Sequence, residues 1–84
     1  MNAVGWIFLV DRLVGYLSDG TELHYVEIGG PSVDGDNVAI AKPTLTPSGA
    51  AICAMSLATE SDTGDVYFYD PVNGWAKKFS FKAE

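Results

Sequence analysis

Turn signals recur along the whole chain, and they restrict its fold more than any other feature. They are Asp19-Gly20, Gly29-Gly30-Pro31, Asp34-Gly35-Asp36-Asn37, Pro43, Pro47-Ser48-Gly49, Asp62 to Gly64 and Asn73-Gly74. Glycine and asparagine tolerate positive φ, proline pre-sets φ, and aspartate bonds its own backbone, so each cluster reverses the chain for a physical reason. Short segments between regularly spaced turns are the mark of an all-β domain. The expectation is one β-rich domain spanning residues 1–84: a small antiparallel sandwich or partly open barrel of five to seven strands, with at most one short helix.

Two hairpins stand out. With Asp19-Gly20 as a two-residue loop, Ser18 faces Thr21, Tyr16 faces Leu23, Val14 faces Tyr25 and Arg12 faces Glu27. The other face then pairs Leu17 with Glu22, Gly15 with His24 and Leu13 with Val26, the glycine leaving room for the imidazole. Further along, Asp65 to Asp70 and Trp75 to Lys82 flank Pro71-Val72-Asn73-Gly74. Alternation places Trp75, Phe79 and Phe81 on one face of the returning strand, with Ala76, Lys78, Ser80 and Lys82 on the other. Lys77 is the misfit on the aromatic face, to be absorbed by a bulge or a snorkelling stem.

Between the hairpins, Asn37 to Ala41 reads as a short strand. Ala50 to Thr59 suits a helix by its alanines, but its position between turn signals favours a central strand buried on both sides. Met1 to Val10 is equally divided: Trp6, Ile7, Phe8 and Val10 favour extension into the first hairpin, while Trp6, Leu9, Val10 and Leu13 would also stripe a helix.

An 84-residue domain buries only about 60–65% of the surface its unfolded chain exposes, so its stability is thin. Disulfides cannot reinforce it, because Cys53 is the only cysteine; between Ile52 and Ala54 it reads as a buried small hydrophobe in a reducing compartment. Charged residues make up 19% of the chain against about 25% in an average domain. That surplus of apolar over charged surface points to an interface, and self-association is the simplest one.

Net charge −6 with five basic residues argues against a nucleic-acid partner. Lys77, Lys78 and Lys82 beside Trp75, Phe79 and Phe81 are read as guards of an exposed edge strand. The apolar run Ala3 to Val10 lacks a basic flank and is too short to span a bilayer, so neither a leader nor a membrane partner is expected.

Catalytic chemistry finds little support. Ser-His-Asp or Cys-His catalysis needs a histidine base, and His24 falls mid-strand, away from Ser48 and Cys53. One histidine and one cysteine cannot supply a zinc site. Asp34-Gly35-Asp36-Asn37 begins like a calcium loop, but Val38 and Leu45 stand where later ligands belong; Glu60, Asp62 and Asp65 gather carboxylates around another turn. Turn chemistry explains both clusters, though Asp34/Asp36 or Asp62/Asp65 would suit a weak surface ion. No phosphate-binding glycine loop is present and nothing sets two carboxylates across a cleft, so no enzyme and no cofactor are expected.

The aromatics leave a choice open. If Val66 and Phe68 face the core, then Tyr67 and Tyr69 face the other way, and with Trp75 they form a packed second layer, a protein interface or a surface for stacking a sugar or peptide.

The stretch Ser56 to Asp70, with Thr63-Gly64-Asp65-Val66-Tyr67-Phe68-Tyr69-Asp70 at its heart, followed by Asn73-Gly74-Trp75-Ala76-Lys77, resembles small proteins of bacteriophage and prophage structural gene clusters. The resemblance implies a non-enzymatic virion component (head decoration, connector or tail accessory) that acts by assembling with itself and other virion proteins. It further implies residence in the virion, or in the host cytoplasm before assembly. The alternative is a small module taking a carbohydrate or peptide on Tyr67, Tyr69 and Trp75.

Overall fold

A computed structural model describes residues 5–80. The chain is mainly β, with strands β1 (Ile7–Tyr16), β2 (Glu22–Gly30), β3 (Ala51–Ile52), β4 (Leu57–Glu60), β5 (Asp65–Asp70) and β6 (Gly74–Ser80). They form one open mixed sheet in the order β1-β2-β4-β5-β6, with β3 also pairing β2. The described residues contain no helix.

The expected antiparallel pairing holds in both hairpins and between β4 and β5. It fails at the centre, where β2 pairs parallel with both β3 and β4. Parallel neighbours need a long return connection, and residues 31–50 provide it. The chain leaves the end of β2, crosses the sheet and re-enters beside the start of the same strand.

The first hairpin keeps its turn but not its expected register. The loop has three residues, Ser18-Asp19-Gly20. Leu17 N–H donates to Thr21 O at 2.8 Å and Gly20 N–H donates to Leu17 O at 2.9 Å. Gly20 sits at φ 92°, and the Asp19 carboxylate accepts from Thr21 N–H at 2.9 Å. This turn with a glycine bulge is the usual three-residue solution, and it displaces every pair by one. Two further register shifts, at Leu9 and Val14, displace the rest. His24 therefore faces Leu13, not Gly15, and Arg12 faces Tyr25, not Glu27. The Arg12 guanidinium lies 5.9 Å from the Tyr25 ring centroid.

The second hairpin keeps its turn and its antiparallel pairing, but its bulge leaves Lys77 on the face of Trp75 and sets Phe79 at a register position on the other face, against the expected alternation. Tyr69 pairs with Trp75 and Tyr67 with Lys77, after which the register slips so that Val66 pairs with Phe79. The extra residue is Lys78. Phe81 and Lys82 lie outside the described residues.

Ala50 to Thr59 is extended as expected, but as two collinear strands along β2, interrupted at residues 53–56, and β4 is buried on one side and not both, with Thr59 exposed. The interruption deprives Val26 N–H of its ladder partner, and the buried Ser56 hydroxyl accepts from it at 3.0 Å. Met55 adopts φ 71° at this kink, and its N–H donates to Tyr69 O. The partner of a buried backbone group has been supplied by a side chain.

Asn37 to Ala41 is not a strand. Its residues close a miniature turn in which Val33 bridges Ala39 and Asp34 N–H donates to Val38 O. The Asp34 carboxylate accepts from Asp36 N–H and Val38 N–H at 2.8 and 3.0 Å. That local bonding competes successfully with strand pairing.

The core lies on one face of the sheet. Val26, Ile28, Ile52 and Ala58 are buried there, with Trp6, Phe8, Tyr67, Tyr69 and Trp75 packed against them. The N-terminal segment presses closely on Gly30, where a Cβ would come within 2.8 Å of Gly5 O and 3.1 Å of Trp6 Cα. Only glycine permits that approach.

Candidate functional site: a strapped aromatic face and an exposed edge strand

Tyr67, Tyr69 and Trp75 share the core-facing side of β5 and β6, because each is two residues or one strand pair from the next. They are half-buried. Tyr69 and Trp75 meet edge to face, with centroids 4.9 Å apart. Trp75 Nε1 donates to Pro43 O at 2.8 Å, tying the connection of residues 31–50 across this face. The structure thus places these three residues in a packed layer. Of the readings left open, the condition that Val66 and Phe68 face the main core is not met: the tyrosines meet the core cluster, while Val66 is buried on the opposite side.

Next to Pro43, Lys42 forms the electrostatic centre of this strap. Its Nζ lies 2.9 Å from Glu60 Oε2, 3.8 Å from the Tyr67 ring centroid and 5.1 Å from that of Trp6. Glu60 is buried, and its other oxygen accepts from the Thr63 hydroxyl at 2.6 Å. Two aromatic faces and a carboxylate replace the water that Lys42 loses. Burial pushes the Tyr67 phenol above its ordinary range, with the Glu60 charge adding to it. Sequence reasoning missed this pair. A signal was present: Lys42 is the only charged residue between Asp36 and Glu60.

His24 sits in a second cluster. Nδ1 lies 2.6 Å from Asp11 Oδ1 on β1, and Nε2 lies 2.8 Å from Glu22 Oε1 on its own strand. With both ring nitrogens facing carboxylates, the imidazolium form is favoured. The hydrogen bond to Glu22 first, then that to Asp11, raises the His24 pKa above its ordinary value of 6.5. Both ring nitrogens are taken by carboxylates, not by Ser48 or the Cys53 thiol, and the His24 carbonyl accepts from Cys53 N–H at 2.7 Å. Cys53 itself is partly exposed, against the expectation of full burial.

A folded pKa above the unfolded one means stabilisation present below pH 6.5 and lost as pH rises through the raised value. The melting-temperature difference between wild type and His24→Gln is expected to be largest in mildly acidic buffer and to shrink steadily into alkaline buffer. A pH-independent difference would refute the clamp.

Neither acidic turn gathers ligands. Among the described residues no group of three His, Cys, Asp or Glu side chains is arranged to hold a metal. Asp62 accepts from Ser32 N–H at 3.0 Å and from the Ser32 hydroxyl at 2.8 Å, a bond that pulls its carboxyl below the usual range and pins the start of the strap.

The other prominent surface is β1. Ile7, Leu9, Leu13, Val14 and Tyr16 are 49–69% exposed on this one strand. Ile7 and Leu9 also line a shallow apolar groove of about 420 Å³ with Gly29, Pro31 and Thr59. No described helix is long and apolar enough to cross a membrane. Comparison of the chain with protein-family models, curated proteins and solved structures yields no match.

Proposed function

We propose that this chain is a non-enzymatic structural protein of phage or prophage origin, a head, connector or tail accessory, that acts by assembling with copies of itself and with other virion proteins. The observation that carries the reading is β1, an edge strand with five large hydrophobic side chains exposed. Small monomers seldom expose so much apolar surface along one element, and an open edge is a template for pairing. The resemblance of the segment around Thr63 to Lys77 to phage structural proteins supports the same reading and sets its context.

The test is absolute mass in solution, by light scattering after size exclusion, across a hundredfold concentration range. A discrete oligomer is expected. A monomer throughout that range would overturn the proposal.

A further inference from the structure

Resting on that reading, we infer that copies join edge to edge, β1 of one copy pairing antiparallel with β6 of the next, so that the contact is heterologous and the sheet continues from copy to copy. Among the described residues, no strand pairs with the outer side of either β1 or β6. The sheet contains three antiparallel steps and one parallel step along its path, β1-β2, β4-β5 and β5-β6 against β2-β4. Three reversals leave the two edge strands running in opposite directions. A second copy set beside the first in the same orientation therefore presents its β1 antiparallel to β6.

Side-chain faces select the register. Asp11 and Leu13 lie opposite Val26 and His24, and Lys77 and Trp75 lie opposite Tyr67 and Tyr69. All four positions belong to the core-facing side of the sheet. Paired residues must share a face, and one register does this while setting Asp11 against Lys77, Arg12 against Ala76 and Leu13 against Trp75. The charges are then complementary. Lys77 is well placed for it: its ammonium is exposed and holds Asp65 only loosely, at 3.6 Å. Bulges delimit the contact on both sides. Those at Leu9 and Val14 leave Val10 to Leu13 regular on β1, and that at Lys78 leaves Gly74 to Lys77 regular on β6.

The same charges oppose the symmetric alternatives. A two-fold axis at the middle of β1 sets Asp11 against its own copy or Arg12 against its own. An axis at the middle of β6 does the same with Lys77 or Lys78. Like charges directly opposite destabilise a pair. Heterologous contacts generate closed rings or open filaments according to the rotation between copies.

The experiment uses the full chain with Asp11→Lys and Lys77→Glu, separately and mixed one to one, with mass measured as above. Each variant alone is expected to associate about tenfold more weakly than wild type, because each sets like charges together. Mixing restores association through alternating copies, since every contact between unlike variants again joins opposite charges. Because Asp11 also holds His24, circular dichroism confirms folding, and Leu13→Lys serves as a second β1 variant, expected to weaken association while removing neither carboxylate from His24. Weakening by only one strand's variants would indicate a symmetric contact and overturn the inference. So would unchanged assembly in Asp11→Lys, Leu13→Lys and Lys77→Glu alike, which would leave self-association itself standing. A monomeric wild type would remove both.

Discussion

Replacing Lys42 by alanine is expected to lower the unfolding free energy by about 3–5 kcal/mol, the usual effect of leaving a buried charge without its partner. The Glu60 side chain is only 7% exposed, and no cation would remain beside it to balance its charge among the contacts it makes with Thr63 and Tyr67. Lys42→Ala also strips the cation from the faces of Trp6 and Tyr67 and loosens the strap beside Pro43. For an 84-residue domain, total stability lies at roughly 4–12 kcal/mol, so the variant approaches the unfolding threshold. Urea unfolding followed by tryptophan emission measures the effect. The double variant Lys42→Met, Glu60→Gln should regain most of the loss, because no uncompensated charge is then buried. A loss under about 1 kcal/mol in Lys42→Ala would show the pair to be no more than a surface ion pair.

Ile28→Ala is expected to cost about 3 kcal/mol, within the usual 2–5 kcal/mol for truncating a buried aliphatic side chain. Ile28 is 1% exposed at the centre of the core cluster, between Phe8 on β1 and Ala58 on β4. A change of that size lowers the melting temperature of so small a domain by about 12 °C or more. Val72→Ala, at an 88% exposed turn position, is the matched control and should change stability by no more than about 0.5 kcal/mol. Equal effects at the two sites would refute the placement of the core.

The strongest function-bearing features differ in how readily they could be read from the chain. Lysines guarding an edge strand were legible, since Lys77 and Lys78 do lie on edge strand β6. The aromatic alternation Tyr67, Tyr69, Trp75 was legible as one face, but whether that face was wet or covered was not. The covering group is Lys42-Pro43, over twenty residues distant, and no local pattern announces where a long connection will lie. His24 was visible as the lone histidine, yet its partners Asp11 and Glu22 depended on a register that three small irregularities changed.

What the sequence determined by itself was the class of structure: strands bounded by turns, and two hairpins at Asp19-Gly20 and Pro71 to Gly74. These are local matters, settled by turn chemistry and the two-residue period of a strand. Only the tertiary structure decided the hairpin register, the parallel seating of β4 on β2, the burial of Lys42 with Glu60 and the use of Ser56 to serve Val26. Each of these joins groups far apart in the chain, or turns on one inserted residue. A bulge costs little locally, yet it moves every side chain beyond it to the opposite face. Such choices are made by the packing of the whole sheet.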